Sequence, residues 1–243
     1  MEKTLRDTEV HIWRLALDLS APRLTALAAT LSSDERTRAA AFAFEGTRRR
    51  FIARRGQVRE LLGSYLGLPA GDLEFHYGTW GKPEIAGELR LRFNVSHSDE
   101  LALVALTTRY AVGVDVQRVR RLPDASRLAR RFFAPAEVRT LGHIPDYRFF
   151  GCWVRKEAYI KATGRGLSLG LSRFQVSVPP SPPRVLRSDE PGRWTMFEPA
   201  ALTGYTAAVA VAGTVEPSFT WHYTDVTDDQ SPEDSQEATC PLE

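Results

Sequence analysis

Residues 153–170 read WVRKEAYIKATGRGLSLG. Wound as a helix, the stretch puts Trp153, Glu157 and Lys161 at i, i+4 and i+8, so they share one face, with Ile160 beside them and Lys156 flanking. Gly164, Gly166 and Gly170 then end the helix and turn the chain back. Two arrangements satisfy this pattern. In one, Glu157 and Lys161 pair on a solvated surface. In the other, the helix aims a carboxylate and an ammonium at an anionic ligand. The same stretch spells G-x-S-x-G at 166–170, the form of a nucleophile elbow around Ser168. An elbow needs a strand before the serine and a helix after it. Here the order is helix, loop, then strand, and the downstream Asp189 and His222 have no supporting context.

Working outward, helical patterns are expected at 124–132, 135–142 and 146–163, followed by strands at 174–178, 193–197, 205–213 and 219–224. The first half repeats that order. Ser32-x-x-Glu35 is a capping box opening a helix through Phe44, and a second helix covers about 47–66 and stops near Gly67 and Pro69. Strands follow at 73–77, 91–96, 101–108 and 111–117, and EVHIWRLAL (9–17) is a further strand. Helices first and strands after, twice over, predicts an α+β fold of two similar lobes meeting near residue 115. The expected divisions are 1–112, 113–224 and an acidic, disordered tail at 225–243.

The chain has 243 residues, 43% of them hydrophobic and 26% charged, which suits a globular protein with a sizeable core. No apolar run nears the roughly 18–20 residues that cross a bilayer, and MEKTLRDTEV has no apolar signal segment. Two cysteines supply neither a disulfide framework nor a zinc spacing. The expectation is a cytoplasmic protein with no membrane attachment. The net charge of +2 conceals an asymmetry: residues 225–243 hold seven of the 30 acids and no Lys or Arg, so residues 1–224 carry +9. A basic body favours anionic partners. Only four of the 32 basic residues are lysines: Lys3, Lys82, Lys156 and Lys161.

Three further clusters carry chemistry. In FNVSHS (93–98), His97 sits between two serines where a strand meets a turn, a group able to hold phosphate or simply to stabilise the turn. In GVDVQ (113–117), Asp115 and Gln117 point to one face of a strand, and Gly113 leaves room for a close ligand. A carboxylate in that apolar run needs a partner or a metal, and Asp115 with Glu157 would suit magnesium. The third cluster is Arg36, Arg38, Arg48, Arg49, Arg50, Arg54, Arg55 and Arg59. These could bind nucleic acid, grip one phosphorylated cofactor, or be solvated helix faces.

GKP (81–83), FNVSHS, GVDVQ and WVRKEAYIKATGRGLS (153–168) occur in this order, and the combination resembles the 4′-phosphopantetheinyl transferases of the larger, monomeric Sfp type, in the subgroup with W…KEA wording. The resemblance covers roughly residues 30–212. It implies transfer of 4′-phosphopantetheine from coenzyme A to a serine of an apo acyl or peptidyl carrier protein. The reaction would be magnesium-dependent (manganese substituting) and would release 3′,5′-ADP. It implies a pseudo-twofold pair of lobes in one monomer, with the site at their junction. Asp115, Gln117 and Glu157 match the metal-binding positions, with Gln117 standing where many members have a third acid. Glu157 also matches a proposed general base, and Lys161 matches a lysine on the coenzyme A phosphates. Ser96 and His97 match the cofactor's phosphate side, and His97 with Lys161 would stabilise charge on the phosphate oxygens. Gly81, Lys82 and Pro83 match the adenine end, Arg38 matches the 3′-phosphate contact, and Arg36 and Arg50 are helpers. The implied partners are acidic carriers of fatty acid, polyketide or nonribosomal peptide assembly, and not nucleic acid.

Overall fold

The computed structural model describes residues 4–79, 81–87, 90–142, 146–199, 202–213, 218–223 and 238–239. The first strand, β1 (Glu9–Ala16), leads into three helices: α1 (Ala21–Ala29), α2 (Ser33–Ala40) and α3 (Glu45–Leu66). A hairpin of β2 (Phe75–Tyr77) and β3 (Pro83–Ile85) follows, then β4 (Arg92–Ser98), β5 (Leu101–Thr107) and β6 (Val112–Arg118). The second half runs α4 (Ala125–Phe132), α5 (Pro135–Leu141), α6 (Asp146–Thr163), β7 (Gln175–Val176), β8 (Val185–Arg187), β9 (Trp194–Phe197) and β10 (Tyr205–Ala212). The last strands are β11 (Ser218–Tyr223) and β12 (Ala238–Thr239). The fold class is α+β, as the order of elements predicted.

Two sheets do most of the work. The first has the order β12-β11-β1-β5-β4 and the second β6-β10-β9. The chain crosses back at its end, where β11 pairs in parallel with β1. Strand alternation then decides the layers. On β1, Trp13 and Leu15 face α1 and α3 with Leu24, Leu27, Val58 and Leu62. Val10 and Ile12 face the other way, with Leu103 and Ala105, and meet Val112, Val114, Val116, Val209 and Val211 of the second sheet. The outer face of that second sheet carries Ala208 and Ala210, covered by Val154, Ala158 and Ile160 of α6. The order is helix, sheet, sheet, helix, with one long helix behind each sheet. β5 lies between two of these layers, so every residue of it is buried, which accounts for the unbroken LALVAL run.

Because Val112, Val114 and Val116 face inward, Gly113, Asp115 and Gln117 face α6. The opening at Gly113 admits that helix rather than a ligand: a Cβ there would overlap the Ala158 carbonyl and the Ala162 amide. Gly113→Ala should therefore push α6 off its sheet and cost about 1–3 kcal/mol or more. A chemical-denaturation midpoint equal to that of the unaltered protein would contradict this packing.

The helix expected to run from Ser32 to Phe44 stops at Ala40, and α3 restarts at Glu45. Glu35 accepts from the Ser32 amide at 3.0 Å, as a capping box requires. α1 was not legible, since APRLTALAA shows only two buried leucines, Leu24 and Leu27. The acidic stretch at 225–237 and 240–243 lies outside the described residues. Among the described residues no helix is long and apolar enough to cross a membrane.

Candidate active site

The two sheets meet edge to edge, β4 against β6, and side chains make the joint. Val114 N donates to Asn94 Oδ1 at 2.9 Å, Val116 N to Ser96 Oγ at 3.3 Å, and Arg118 N to Ser98 Oγ at 3.0 Å. Asn94, Ser96 and Ser98 share one face of β4 by their spacing of two. The FNVSHS wording is thus largely a side-chain ladder that satisfies the free amides of a neighbouring sheet edge.

The chemistry sits on that ladder. Ser96 Oγ donates to Asp115 Oδ1 at 2.7 Å, and Lys161 Nζ reaches the same oxygen at 2.7 Å. The ammonium also donates to Ser96 Oγ at 3.0 Å and the Val114 carbonyl at 3.1 Å. Asp115 is 2% exposed, so these bonds compensate its buried charge. Gln117 Nε2 lies 3.4 Å from Asp115 Oδ2, leaving that oxygen with one long contact. Glu157 is half-buried and, among the described residues, has no hydrogen bond or ion pair. Burial first, and then the charge of Asp115, raise its pKa above the ordinary glutamate value. The i, i+4 pair of Glu157 with Lys161 does not form; Lys161 pairs with Asp115 instead.

Lys156, next to Glu157 in sequence, faces the opposite way. Its Nζ lies 2.6 and 2.7 Å from the two Glu137 oxygens and 3.0 Å from the Phe174 carbonyl. Trp153 is half-buried and stacks on Phe149 at 6.0 Å, anchoring α6 as expected. Of the two charges in the KE pair, Lys156 is bound into the core by Glu137 and Glu157 faces Asp115.

His97 lies on the other face of β4, so it does not join Ser96. It looks toward α3, where Arg54 Nη1 lies 2.6 Å from Nδ1 and 2.8 Å from Nε2. Desolvation under its neighbours, then the charges of Arg54 and Lys161, hold the imidazole down to about 4, although the residue keeps a solvent-facing edge. At neutral pH it is an uncharged ring.

Two cavities flank this arginine. One of about 920 Å³ is lined by Leu19, Arg38, Phe44, Arg50, Arg54 and His97 among others. The other, about 320 Å³, is lined by Arg38, Phe51, Arg54, Tyr77, Gly81 and Pro83 among others. Arg38, Gly81 and Pro83 are therefore brought together. Arg50 is at the larger cavity but held by Asp18 at 2.7 and 2.9 Å. Arg36 is spent on the Leu31 carbonyl and lines neither cavity. Lys82 turns away from both: its Nζ donates to the Val112 and Lys161 carbonyls, each at 3.1 Å, tying the β2–β3 hairpin to the end of α6. Burial pushes its ammonium down to about 8. Arg54, placed between His97 and both cavities, was only one of eight arginines in the sequence, and no local signal distinguished it.

The donor set can be tested against a divalent cation. Among the described residues no cluster of three or more His, Cys, Asp or Glu is placed to hold a metal ion. Gln117, beside Asp115, brings an amide and not a carboxylate. Yet Glu157, without a hydrogen bond or ion pair among the described residues, has a pKa raised first by burial and then by Asp115, and Asp115 Oδ2 has only the long Gln117 contact among those residues. Two oxygen donors in mutual repulsion, with a neutral amide beside them, fit a hard cation. The elbow alternative fails on backbone order: residues 166–169 form a 3₁₀ turn directly after α6, with no preceding strand.

Comparison with known proteins agrees with this architecture. Residues 111–210 match the family model of the 4′-phosphopantetheinyl transferase superfamily, and residues 19–109 match that of the 4′-phosphopantetheinyl transferase N-terminal region. The chain is 42% identical over 228 residues to the 4′-phosphopantetheinyl transferase HetI of Nostoc sp., covering 90% of this chain and 94% of that one. It is 32% identical over 124 residues to the 4′-phosphopantetheinyl transferase Sfp of Bacillus subtilis, covering 49% of this chain and 54% of that one. With the human L-aminoadipate-semialdehyde dehydrogenase-phosphopantetheinyl transferase the identity is 25% over 166 residues, or 62% and 54% of the two chains. A relative this similar over nearly its whole length, matching a chain whose β4, β6 and α6 converge on Asp115, Glu157 and Lys161, makes this protein an enzyme of the 4′-phosphopantetheinyl transferase superfamily, of the Sfp-like type.

Proposed function

We propose that this transferase moves 4′-phosphopantetheine from coenzyme A to a serine of an apo acyl or peptidyl carrier protein, releasing 3′,5′-ADP. The observation that carries the reading is the convergence of Asp115, Lys161 and Glu157, which has no hydrogen bond or ion pair among the described residues, on one face of β4 and β6, with cavities lined by Arg38, Arg54 and His97 on the other side of β4. A pyrophosphate ester with a separate phosphomonoester needs two such anion-binding regions.

The carrier serine oxygen would bond to the β-phosphorus of coenzyme A, and the bond from that phosphorus to the oxygen of 3′,5′-ADP would break. Glu157 would take the serine proton only in a state in which it does not ligate the ion, since a bound cation would undo the pKa rise that burial and Asp115 give it. Lys161 already points its ammonium into the junction and would neutralise charge on the phosphate oxygens. His97 would contribute as a neutral hydrogen-bonding ring rather than a cation. Asp115, Glu157 and Gln117 would hold magnesium, or manganese in its place. The ion, when bound, supplies charge neutralisation at the pyrophosphate. Gln117→Glu should tighten magnesium binding in a direct titration by calorimetry. An unchanged affinity would remove Gln117 from the ligand set.

The lobes would be residues 1–112 and 113–224 in one monomer, with the site at their junction. The partner would be an acidic carrier meeting a body of +9 over residues 1–224. Six of the eight arginines of α2 and α3 are engaged by protein groups, which disfavours a nucleic-acid surface on those helices. The cytoplasm is the compartment that fits such chemistry. Chromatography of a reaction with coenzyme A, magnesium and apo carrier should show 3′,5′-ADP only when all three are present. Its absence with both acyl and peptidyl carriers would overturn the reading.

A further inference from the structure

Three lysines lie in the described residues, and they differ in how fully they are bonded. An ammonium carries three donors. Lys156 places its three on the two Glu137 oxygens and the Phe174 carbonyl. Lys161 places its own on Asp115, Ser96 and the Val114 carbonyl. Lys82 has no ion pair among those residues, and its Nζ donates only to the Val112 and Lys161 carbonyls, each at 3.1 Å. A neutral amine would spend both of its N–H groups on these two carbonyls and keep its lone pair free. Lys82 is half-buried and lines a cavity of about 370 Å³ with His76, Glu84, Leu91, Arg92 and Thr163 among others. Burial holds its ammonium down to about 8, with Glu84 pulling the other way and Arg92 adding to the fall. Glu84 is itself shared with His76 at 3.1 Å. The hairpin that carries Lys82 needs outside support, since β2 and β3 are three residues each and form a two-stranded sheet of their own. Phe75 packs on Phe93 at 5.9 Å at its open end, and Lys82 supplies the tie at its turn. Pro83 lines this cavity and also the one shared with Arg38 and Gly81, so the hairpin is a wall between the two.

We propose that Lys82 is an acylation site for small activated acyl groups, carried by a thioester or an acyl phosphate, and that acylation unlatches the β2–β3 hairpin from the end of α6. The Nζ lone pair attacks the acyl carbonyl carbon and a C–N bond forms. The carbon–sulfur or carbon–oxygen bond of the donor breaks, and thiolate or phosphate leaves with the electron pair. The nitrogen gives one proton to solvent, and the product is a neutral amide. That amide has a single N–H, so it serves only one of the two carbonyls. The other, on β6 or in the last turn of α6, loses this donor, and the charge that complements the helix C-terminus is gone. Lys161, whose carbonyl takes one of these bonds, is the residue whose ammonium sits on Asp115, so the latch joins the hairpin to the site. The acylation itself does not depend on the transfer reaction proposed above.

The test treats the unaltered protein with acetyl-coenzyme A in one series and acetyl phosphate in another, with free Nα-acetyl-lysine amide in the same tube. Peptide mass spectrometry then gives the initial acylation rate of each lysine as a function of pH. At about pH 7.5 Lys82 should react about 10-fold or more faster than Lys156 and Lys161, and its rate should level off just above about pH 8, while that of the free lysine climbs toward its pKa of about 10.4. Reaction with both donors, or with one alone, supports the site and identifies the source of the acyl group. Hydrogen–deuterium exchange reads the latch: amides of β2 and β3 should exchange about 2- to 10-fold faster after acylation, the effect of one lost hydrogen bond. In Lys82→Arg, which cannot be acylated at that position, the same treatment should leave their exchange unchanged. No acylation of Lys82 with either donor, or a rate that climbs alongside the free lysine, overturns the site. Acylation with unchanged exchange, or equal loosening in treated Lys82→Arg, overturns the latch.

Discussion

Glu157→Ala is expected to lower phosphopantetheine transfer by about 100- to 1,000-fold, the range seen when one preorganised charged group is lost from a transition state, while the fold survives. The structural half of the expectation comes from what Glu157 does not do. Among the described residues it makes no hydrogen bond and no ion pair, so its removal orphans nothing. Its charge is unfavourable where it sits, raised in pKa by burial and then by Asp115. The sign follows from linkage: a carboxyl whose folded pKa lies above its unfolded value loses stability for the protein as pH rises from the unfolded pKa through the folded one. Near neutral pH, Glu157→Gln should therefore be at least as stable as the parent while losing activity. We read a carboxylate that costs stability and has no hydrogen bond or ion pair among the described residues as one held for a ligand. Full activity in Glu157→Ala, or a melting temperature well below the parent's, would contradict this account.

The neighbouring lysine should behave in the opposite way. Lys156 and Glu137 have fully buried side chains and face each other at 2.6 Å. Glu137 also accepts the Ala134 and Val176 amides, each at 2.7 Å, so it links α5 to β7. The ammonium lies 4.2 Å from the centre of the Phe174 ring, with apolar groups around it. Removing one member of such a pair strands the other charge away from water, which costs about 3–5 kcal/mol. Lys156→Ala should thus unfold or strongly destabilise the second lobe, measured by urea denaturation. Replacing both partners, Lys156→Met with Glu137→Gln, should recover most of the loss, since no uncompensated charge remains. A Lys156→Ala variant that keeps its denaturation midpoint but loses activity would place Lys156 in the site after all.

The contrast between residues 156 and 157 shows what the sequence could and could not convey. Periodicity placed α6 at 146–163, where it lies, and put Glu157 and Lys161 on one face. It could not say that Lys156 turns inward, because Glu137 arrives from another helix 19 positions earlier. The strands at β4, β5 and β6 were legible from alternation and apolar runs. The joint between β4 and β6 was not, since it consists of side chains accepting amides about 20 residues away. Gly113 signalled close approach correctly but not by what: the visitor is α6. Lys82 was expected beside Gly81 and Pro83 at one end of the cofactor, yet its ammonium caps the carbonyl end of α6. Among the arginines, sequence alone counts charges, whereas the counter-ions that sort Arg38 and Arg54 from the rest come from Asp18, Glu35 and distant carbonyls.

The most direct test of the central claim is the intact mass of an apo carrier protein incubated with this enzyme, coenzyme A and magnesium, run beside a sample containing EDTA and one containing Glu157→Ala. The account predicts a gain of one phosphopantetheine on the carrier with the parent enzyme, suppressed by the chelator and by the substitution. An unchanged carrier mass with the parent enzyme, across both acyl and peptidyl carriers, would contradict it, as would a full gain with Glu157→Ala.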